Sequence, residues 1–236
     1  MGLLLSESFG AGIPGGFATA IADGGGTFTV THNAGESAVD FSRPGPNALW
    51  RLDTCPAAAD LRVRFDLEVI TADLAAAAIS GFGASFKAAS ATPLHHVIAS
   101  TQDQAVYPYM GSVASPNGNA TTDVPGVFQP IAVAGRYVYE FVCVRRAGAS
   151  QGGRQYQIRV DDVLLWYADV GTFPAGDLIS PYFFIRDSAF RMHSVEVYDD
   201  ATEVATAAMP VICGHQRAVP LRLFGRAGIA GTVRSL

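Results

Sequence analysis

The chain reads as all-β: an antiparallel two-sheet sandwich over residues 1–200, followed by a short C-terminal extension over 201–236. Three observations lead there. Apolar residues recur at every second position in short runs, the period at which one side of a strand faces a core. Turn-forming clusters such as Asp23 and Gly24, Pro44 to Pro46, Pro116 to Gly118, and Gly152 and Gly153 divide these runs at intervals of about 10–15 residues, the rhythm of a sandwich. Glycine (25) and proline (13) are plentiful, which suits many strands joined by tight turns.

The clearest strand is Leu61 to Val69, where Leu61, Val63, Phe65, Leu67 and Val69 alternate with Arg62, Arg64, Asp66 and Glu68. In Arg136 to Arg145, Tyr137, Tyr139, Phe141 and Cys143 share one face, while Val138, Val142 and Val144 give the other an apolar character; this predicts a central strand covered on both sides. Tyr156, Ile158 and Val160 alternate with polar residues, and after Asp161 and Asp162 the run Val163 to Tyr167 begins, which predicts a hairpin. Further strands are expected at Leu3 to Phe9, Thr27 to Thr31, Ser37 to Phe41, Ala48 to Leu52, Ile79 to Phe86, His95 to Ser100, Tyr107 to Ser112, Ile179 to Ile185 and Met192 to Tyr198. The Ala-rich stretch from Leu74 runs into Gly81 and Gly83 and is too short for a stable helix. No internal repeat or linker marks a second full domain, and the 36 residues after Asp200 are too few for a core of their own without staples.

At 236 residues the chain is long enough to bury roughly 70% of its unfolded surface. No apolar run approaches the ~20 residues that span a bilayer, so membrane insertion is not expected. A net charge of −5 argues against nucleic acid as the partner. The charge is uneven: no acid follows Glu203, while Arg217, Arg222, Arg226 and Arg234 make the tail cationic, and Lys87 is the only lysine. Met1 to Phe9 lacks the basic, apolar and small-residue zones of a secretory signal, so synthesis and folding in a cytoplasm are expected. Cys55, Cys143 and Cys213 are odd in number and not at metal-binding spacing, and are expected to be reduced thiols.

The region from Arg136 to Asp199 carries a resemblance. The strand Arg136 to Val144, the hairpin Gln155 to Trp166, the apolar strand Pro181 to Ile185 and the closing His193 to Asp199, with Glu7 to Phe9, Gly15 to Phe17 and Trp50 upstream, resemble the concanavalin A-like, laminin-G-type jelly roll over residues 3–200. Asp162 stands where the family's hairpin has glycine, which implies a left-handed backbone that aspartate accepts better than most residues. The family includes lectins, adhesion modules, glycosidases and bacteriophage virion proteins. Without a signal sequence, and with residues 218–233 similar to short strand-forming pieces of phage tail-associated proteins, the resemblance implies a noncatalytic bacteriophage virion structural protein. Such a protein decorates the particle or contacts the host surface, with other virion proteins and further copies of itself as partners and a host-surface glycan as an additional candidate. A lectin-like carbohydrate-binding module is the alternative, and a glycoside hydrolase the third reading.

The residues offer little chemistry. The family's paired-carboxylate pattern is matched only by Asp66 and Glu68, about 7 Å apart by strand rise, with Arg64 where the first acid would stand; solvated ion pairs with Arg62 and Arg64 are the expected role. Adjacent strand residues face opposite ways, so His95 and His96 do not chelate one metal, and His32, His193 and His215 lack ligand spacing. No metal, cofactor or catalytic residue is expected. Trp50 and Trp166 lie in apolar strands and read as core. Sugar recognition uses exposed aromatics beside polar groups, which selects Tyr107 and Tyr109, flanking the strand-weakening Pro108, with Asn117 and Asn119 in the following loop.

In the tail, Val219, Leu221 and Leu223 alternate with Pro220, Arg222 and Phe224, an extended segment able to add to a sheet edge on a second copy or a partner. Removing residues 205–236 is therefore expected to leave a folded monomer by light scattering. An insoluble product would instead give the tail a place in the domain's own sheet.

Overall fold

The computed structural model describes residues 2–22, 27–44, 48–72, 81–88, 95–100, 105–112, 129–130, 135–147, 153–170 and 178–204. By compactness the chain divides into Met1–Glu203 and Val204–Leu236. The first unit is all-β among the described residues, with fifteen strands: β1 Leu3–Glu7, β2 Phe17–Ala22, β3 Thr29–Asn33, β4 Ala38–Arg43, β5 Ala48–Leu52, β6 Leu61–Ala72, β7 Gly81–Ala88, β8 His95–Ser100, β9 Ala105–Ser112, β10 Gln129–Pro130, β11 Arg136–Arg145, β12 Arg154–Val160, β13 Val163–Val170, β14 Ile179–Arg186 and β15 Ser188–Tyr198.

All pairings between these strands are antiparallel, and they form two sheets. The first runs β13-β12-β11-β6-β15-β4-β3, with β1 also on β15; the second runs β10-β9-β8-β7-β14-β5-β2. β15 is the hub of the first sheet. One of its edges pairs with β6, while the other is shared end to end, Ser188 to Met192 with β4 and Val195 to Tyr198 with β1. The chain changes sheet between β14 and β15 through Asp187 alone, which takes a φ of 44°. Ser188 Oγ reaches the carbonyls of Arg186 at 2.5 Å and Gly81 at 3.2 Å, tying this corner to the start of β7.

The core lies between the sheets and follows from the period-two pattern. Leu61, Val63, Phe65, Leu67 and Val69 of β6 are fully buried, as are Tyr139, Phe141 and Cys143 of β11. From the second sheet, Trp50, Phe82, Phe86, Phe183 and Ile185 meet them. Aromatic rings interlock across the gap: Trp50 against Phe41 (centroids 4.9 Å apart), Phe41 against Phe183 (4.7 Å), Phe183 against Phe65 (5.2 Å), and Phe82 against Tyr139 and Phe190 (4.5 Å each).

Several elements differ from the sequence reading. β2 is an additional strand; Phe17–Ala22 is half alanine and shows no strong alternation, yet it pairs with β5 and sets Phe17 4.7 Å from Trp50. β15 begins at Ser188 rather than Met192, and β6 runs three residues past Val69 to Ala72. The Ala-rich stretch from Leu74 lies outside the described residues.

The hairpin joining β12 and β13 has a two-residue turn in which Asp161 (φ 47°) and Asp162 (φ 64°) are both left-handed. Such a turn matches the twist of the flanking strands but is easiest for glycine. Asp161 is held on both sides by Val138: its carboxylate accepts from Val138 N at 2.9 Å, and its own N–H donates to Val138 O at 2.8 Å. Asp162 is 78% exposed and pairs with Arg64 at a loose 3.5 Å. Asp162→Gly is therefore expected to stabilise the fold by about 0.5–1 kcal/mol, seen as a higher urea midpoint at unchanged slope. Asp161→Gly loses the Val138 hydrogen bond and gives no such gain.

Candidate functional site

Each sheet has one outward face, and the two differ. On the first sheet, β6, β11, β12 and β15 present charges that neutralise one another. Arg136 grips Asp66 through two 2.7 Å hydrogen bonds, and Arg191 does the same to Asp40 at 2.7 and 3.2 Å. Glu68 lies 3.6 Å from both Arg191 and His193. Asp66 and Glu68 are thus ion-paired as expected, but their partners are Arg136 and Arg191 on the neighbouring strands rather than Arg62 and Arg64 of β6. Cross-strand neighbours stand closer than residues two apart along one strand, and the antiparallel register sets Arg136 and Arg191 beside Glu68.

Arg62 is the organiser of this face. It donates to Glu140 at 2.9 Å, clasps Asp200 with Nε and Nη2 at 3.1 and 3.0 Å, and lies 4.1 Å over the Tyr198 ring. Burial works against its charge, but the bonds to Glu140 and Asp200 outweigh that and raise its pKa. Beyond β15, the segment from Asp200 to Glu203 crosses the face as a strap. Asp200 is held by Arg62 of β6, the Thr202 carbonyl accepts from Gln157 of β12 at 2.8 Å, and Glu203 accepts from Ala147 N at 2.9 Å and pairs with Arg146 at 3.5 Å. Val142 and Val144, the outward valines of the central strand β11, are buried there. An open cleft of about 350 Å³ remains beside the strap, lined by Arg62, Glu140, Gln157, Arg159, Asp162 and Thr202 among others. Its two arginines are both committed, Arg159 to Glu140 at 3.4 Å and to Gln157 at 3.2 Å.

The outward face of the second sheet is built from the residues that alternate with its core positions. Register places Ala18, Arg51, Tyr182, Ser85, His96 and Gly111 in one row across β2, β5, β14, β7, β8 and β9. A neighbouring row runs Leu49, Phe184, Gly83, Ile98 and Tyr109, and the next Arg186, Gly81, Ser100 and Tyr107. On the other side of the first row, Lys87 stands opposite Ser180. The face is closed at Leu49 and Phe184, each 1% exposed, and at Gly83 and Ser85, the latter fully buried beside Tyr182; Arg51 and Lys87 are exposed and Tyr182 is half-buried. Tyr182 has a raised pKa because burial disfavours its phenolate and Asp53 adds to this, against the opposing pull of Arg51.

Of the residues selected from sequence, Tyr107 and Tyr109 take register positions on this second face, in β9, one strand in from the two-residue edge strand β10. Pro108 lies beyond the β10 contact, opposite Ala99. Asn117, Asn119 and the tail residues Val219, Leu221, Arg222, Leu223 and Phe224 lie outside the described residues. Trp50 is core, as expected. Arg51, Lys87 and Tyr182 escaped the sequence reading: Tyr182 sits inside the apolar run Ile179 to Ile185, where only its odd place in the alternation marks it.

No protein-family model matches the chain, and no curated relative was found. Solved structures do match. The cellulose-induced protein Cip1 superposes with a TM-score of 0.55 at 11% identity, over 85% of this chain and all of that one. A carbohydrate-binding module of Bacillus subtilis gives 0.50 at 14% identity, over 78% and 95% of the two chains. The fold is the antiparallel two-sheet jelly-roll sandwich. An alginate lyase of Chlorella virus also shares it, with a TM-score of 0.50, 9% identity and 73% and 89% coverage. At these identities the likeness extends to fold, and function rests on the two outward faces.

The ion-pair lattice carries a pH signature. Burial raises the pKa of Asp40, but hydrogen bonds from Arg191 and Asn33 and the Arg191 charge outweigh it and leave it below the usual 3.8. A carboxylate depressed by folding stabilises fully above its unfolded value and loses that contribution as pH falls through the lower folded value. Arg191→Ala is expected to cost about 0.5–1 kcal/mol at pH 7. The cost should shrink as pH falls below 3.8 and through the lower folded value, as urea midpoints measured at pH 7 and along an acid series will show.

Proposed function

We propose that the protein is a noncatalytic carbohydrate-binding module whose ligand lies on the outward face of the second sheet, at Tyr182 and the exposed Arg51 and Lys87 on either side of it. The observation that carries this reading is an aromatic flanked by polar and cationic groups, Arg51, Ser180 and Lys87, on rigid strands of a jelly roll. A sugar ring presents an apolar face and a rim of hydroxyls, and a tyrosine beside hydrogen-bonding side chains meets both. The sequence-selected Tyr107 and Tyr109 hold register positions in β9 of the same sheet. Support also comes from the names of two structural neighbours, a carbohydrate-binding module and a cellulose-induced protein.

Catalysis is the lesser reading. Asp66 and Glu68, the only acids that fit the family's paired-carboxylate pattern, are on the opposite sheet and neutralised by Arg136 and Arg191. The virion location implied by the sequence resemblance is a second proposal, concerning where such a module acts; it rests on the likeness of residues 218–233 to strand-forming pieces of phage tail-associated proteins and is independent of the binding face.

Titration calorimetry against a panel of soluble polysaccharides tests the reading. At least one is expected to bind, with Tyr182→Ala weakening it about 3–10-fold, the loss expected of one aromatic contact, and no new reducing ends released. Binding by no member of the panel, or unchanged binding by Tyr182→Ala, would overturn it, and released ends would make the protein an enzyme.

A further inference from the structure

We propose that the saccharide taken by this face is anionic, carrying carboxylate or sulfate groups, and that Lys87 is the residue that pairs with the charge. This rests on the carbohydrate reading above and adds a ligand class to it.

The cations of the first unit are used in a consistent way. Every described arginine except Arg43 has a carboxylate within 3.8 Å, and Arg43, fully buried, is engaged as well. The scaffold neutralises its basic residues systematically, even where they are largely exposed, as with Arg145 and Asp60. Lys87 breaks the rule. Among the described residues it makes no ion pair or hydrogen bond, and it is exposed. It is also the only lysine in a chain that otherwise uses arginine fifteen times.

Its place matters as much as its isolation. Lys87 lies on β7 opposite Ser180, diagonal to Tyr182, a separation of about 7–8 Å that a long side chain spans easily. Arg51 stands directly across from Tyr182 on the other side, so two cations bracket one aromatic, about 12 Å apart from strand spacing and rise. Arg51 is partly neutralised by Asp53, which leaves Lys87 as the full positive charge. A free ammonium on a flexible stem is suited to a point contact with a carboxylate or sulfate, whereas the planar fork of arginine is what the scaffold uses for its own bidentate pairs. The whole chain carries −5, so attraction of an anion here is local and not a property of net charge.

The test uses the full chain, oligogalacturonate, a sulfated dextran oligomer and a neutral cello-oligosaccharide of matched length. The wild type is expected to prefer one or both anionic saccharides at low salt, with the preference falling as salt rises. Lys87→Gln should lose about 3–10-fold of the binding to the anionic saccharides, and Lys87→Arg should retain most of it. Acylation of Lys87, a single mass-spectrometric site among the side chains, should slow when the anionic saccharide is present at saturation. Preference for oligogalacturonate identifies carboxylate as the anion and preference for the dextran identifies sulfate; both support the proposal. Neutral saccharide bound as tightly as the anionic ones, or Lys87→Gln indistinguishable from wild type, overturns it and leaves the carbohydrate reading intact. Binding to none of the three, and to nothing in the wider panel, overturns both.

Discussion

The structure depends on one physical arrangement, the interlocking of aromatic rings between the two sheets. Trp50, Phe41, Phe183 and Phe65 step alternately from one sheet to the other with centroids 4.7–5.2 Å apart. The Phe82, Tyr139 and Phe190 cluster repeats the contact further along. Rings of this size bury large apolar area and favour tilted or edge-on contacts over free sliding, so they fix both the spacing of the sheets and their registration. Because each strand side chain points either into this layer or away from it, fixing the layer also fixes what each outward face can carry. Binding groups placed there inherit the stiffness of a packed core.

The two outward faces have taken different courses. That of the first sheet is closed on itself: carboxylates and guanidinium groups alternate across strands, and the strap after β15 is fastened across it by Arg62, Gln157 and Arg146. Such a lattice contributes modestly to stability pair by pair, but it leaves few unsatisfied groups to attract a ligand. The other face keeps an exposed cation and a half-buried tyrosine on adjacent strands. The buried thiols follow the same logic of a dry interior. Cys55 and Cys143 have pKa values pushed up to about 12 by burial, which keeps them protonated and unreactive at neutral pH.

Much of the fold was legible because strands with one buried face advertise themselves by alternation, and the buried row of β6 falls where its sequence places it. The left-handed hairpin was legible too, since a two-residue turn asks for positive φ and aspartate accepts that better than most residues. β2 was not, because alanine has little preference for strands and the strand exists through its pairing with β5. The partners of Asp66 and Glu68 were hidden for a related reason: Arg136 and Arg191 are remote in sequence, and only the register between strands makes them neighbours. Tyr107 and Tyr109 drew notice in the sequence as aromatics around a proline, and the register gives them positions in β9 of the second sheet. Tyr182 was masked by its apolar neighbours. Lys87 was conspicuous as the only lysine, but that no described acid pairs with it is a tertiary fact.

The strap has a mechanical meaning. β15 is the hub of its sheet, and a pull applied directly to its end would tend to unzip it from β1 and β6. Asp200, Thr202 and Glu203 are instead fastened to β6, to β12 and to the residues just after β11. A tension entering through residue 204 is thus met first by side-chain clasps spread over the width of the sheet, loaded together in shear. The hub strand is shielded from peeling, much as a cable is protected by a clamp ahead of its solder joint.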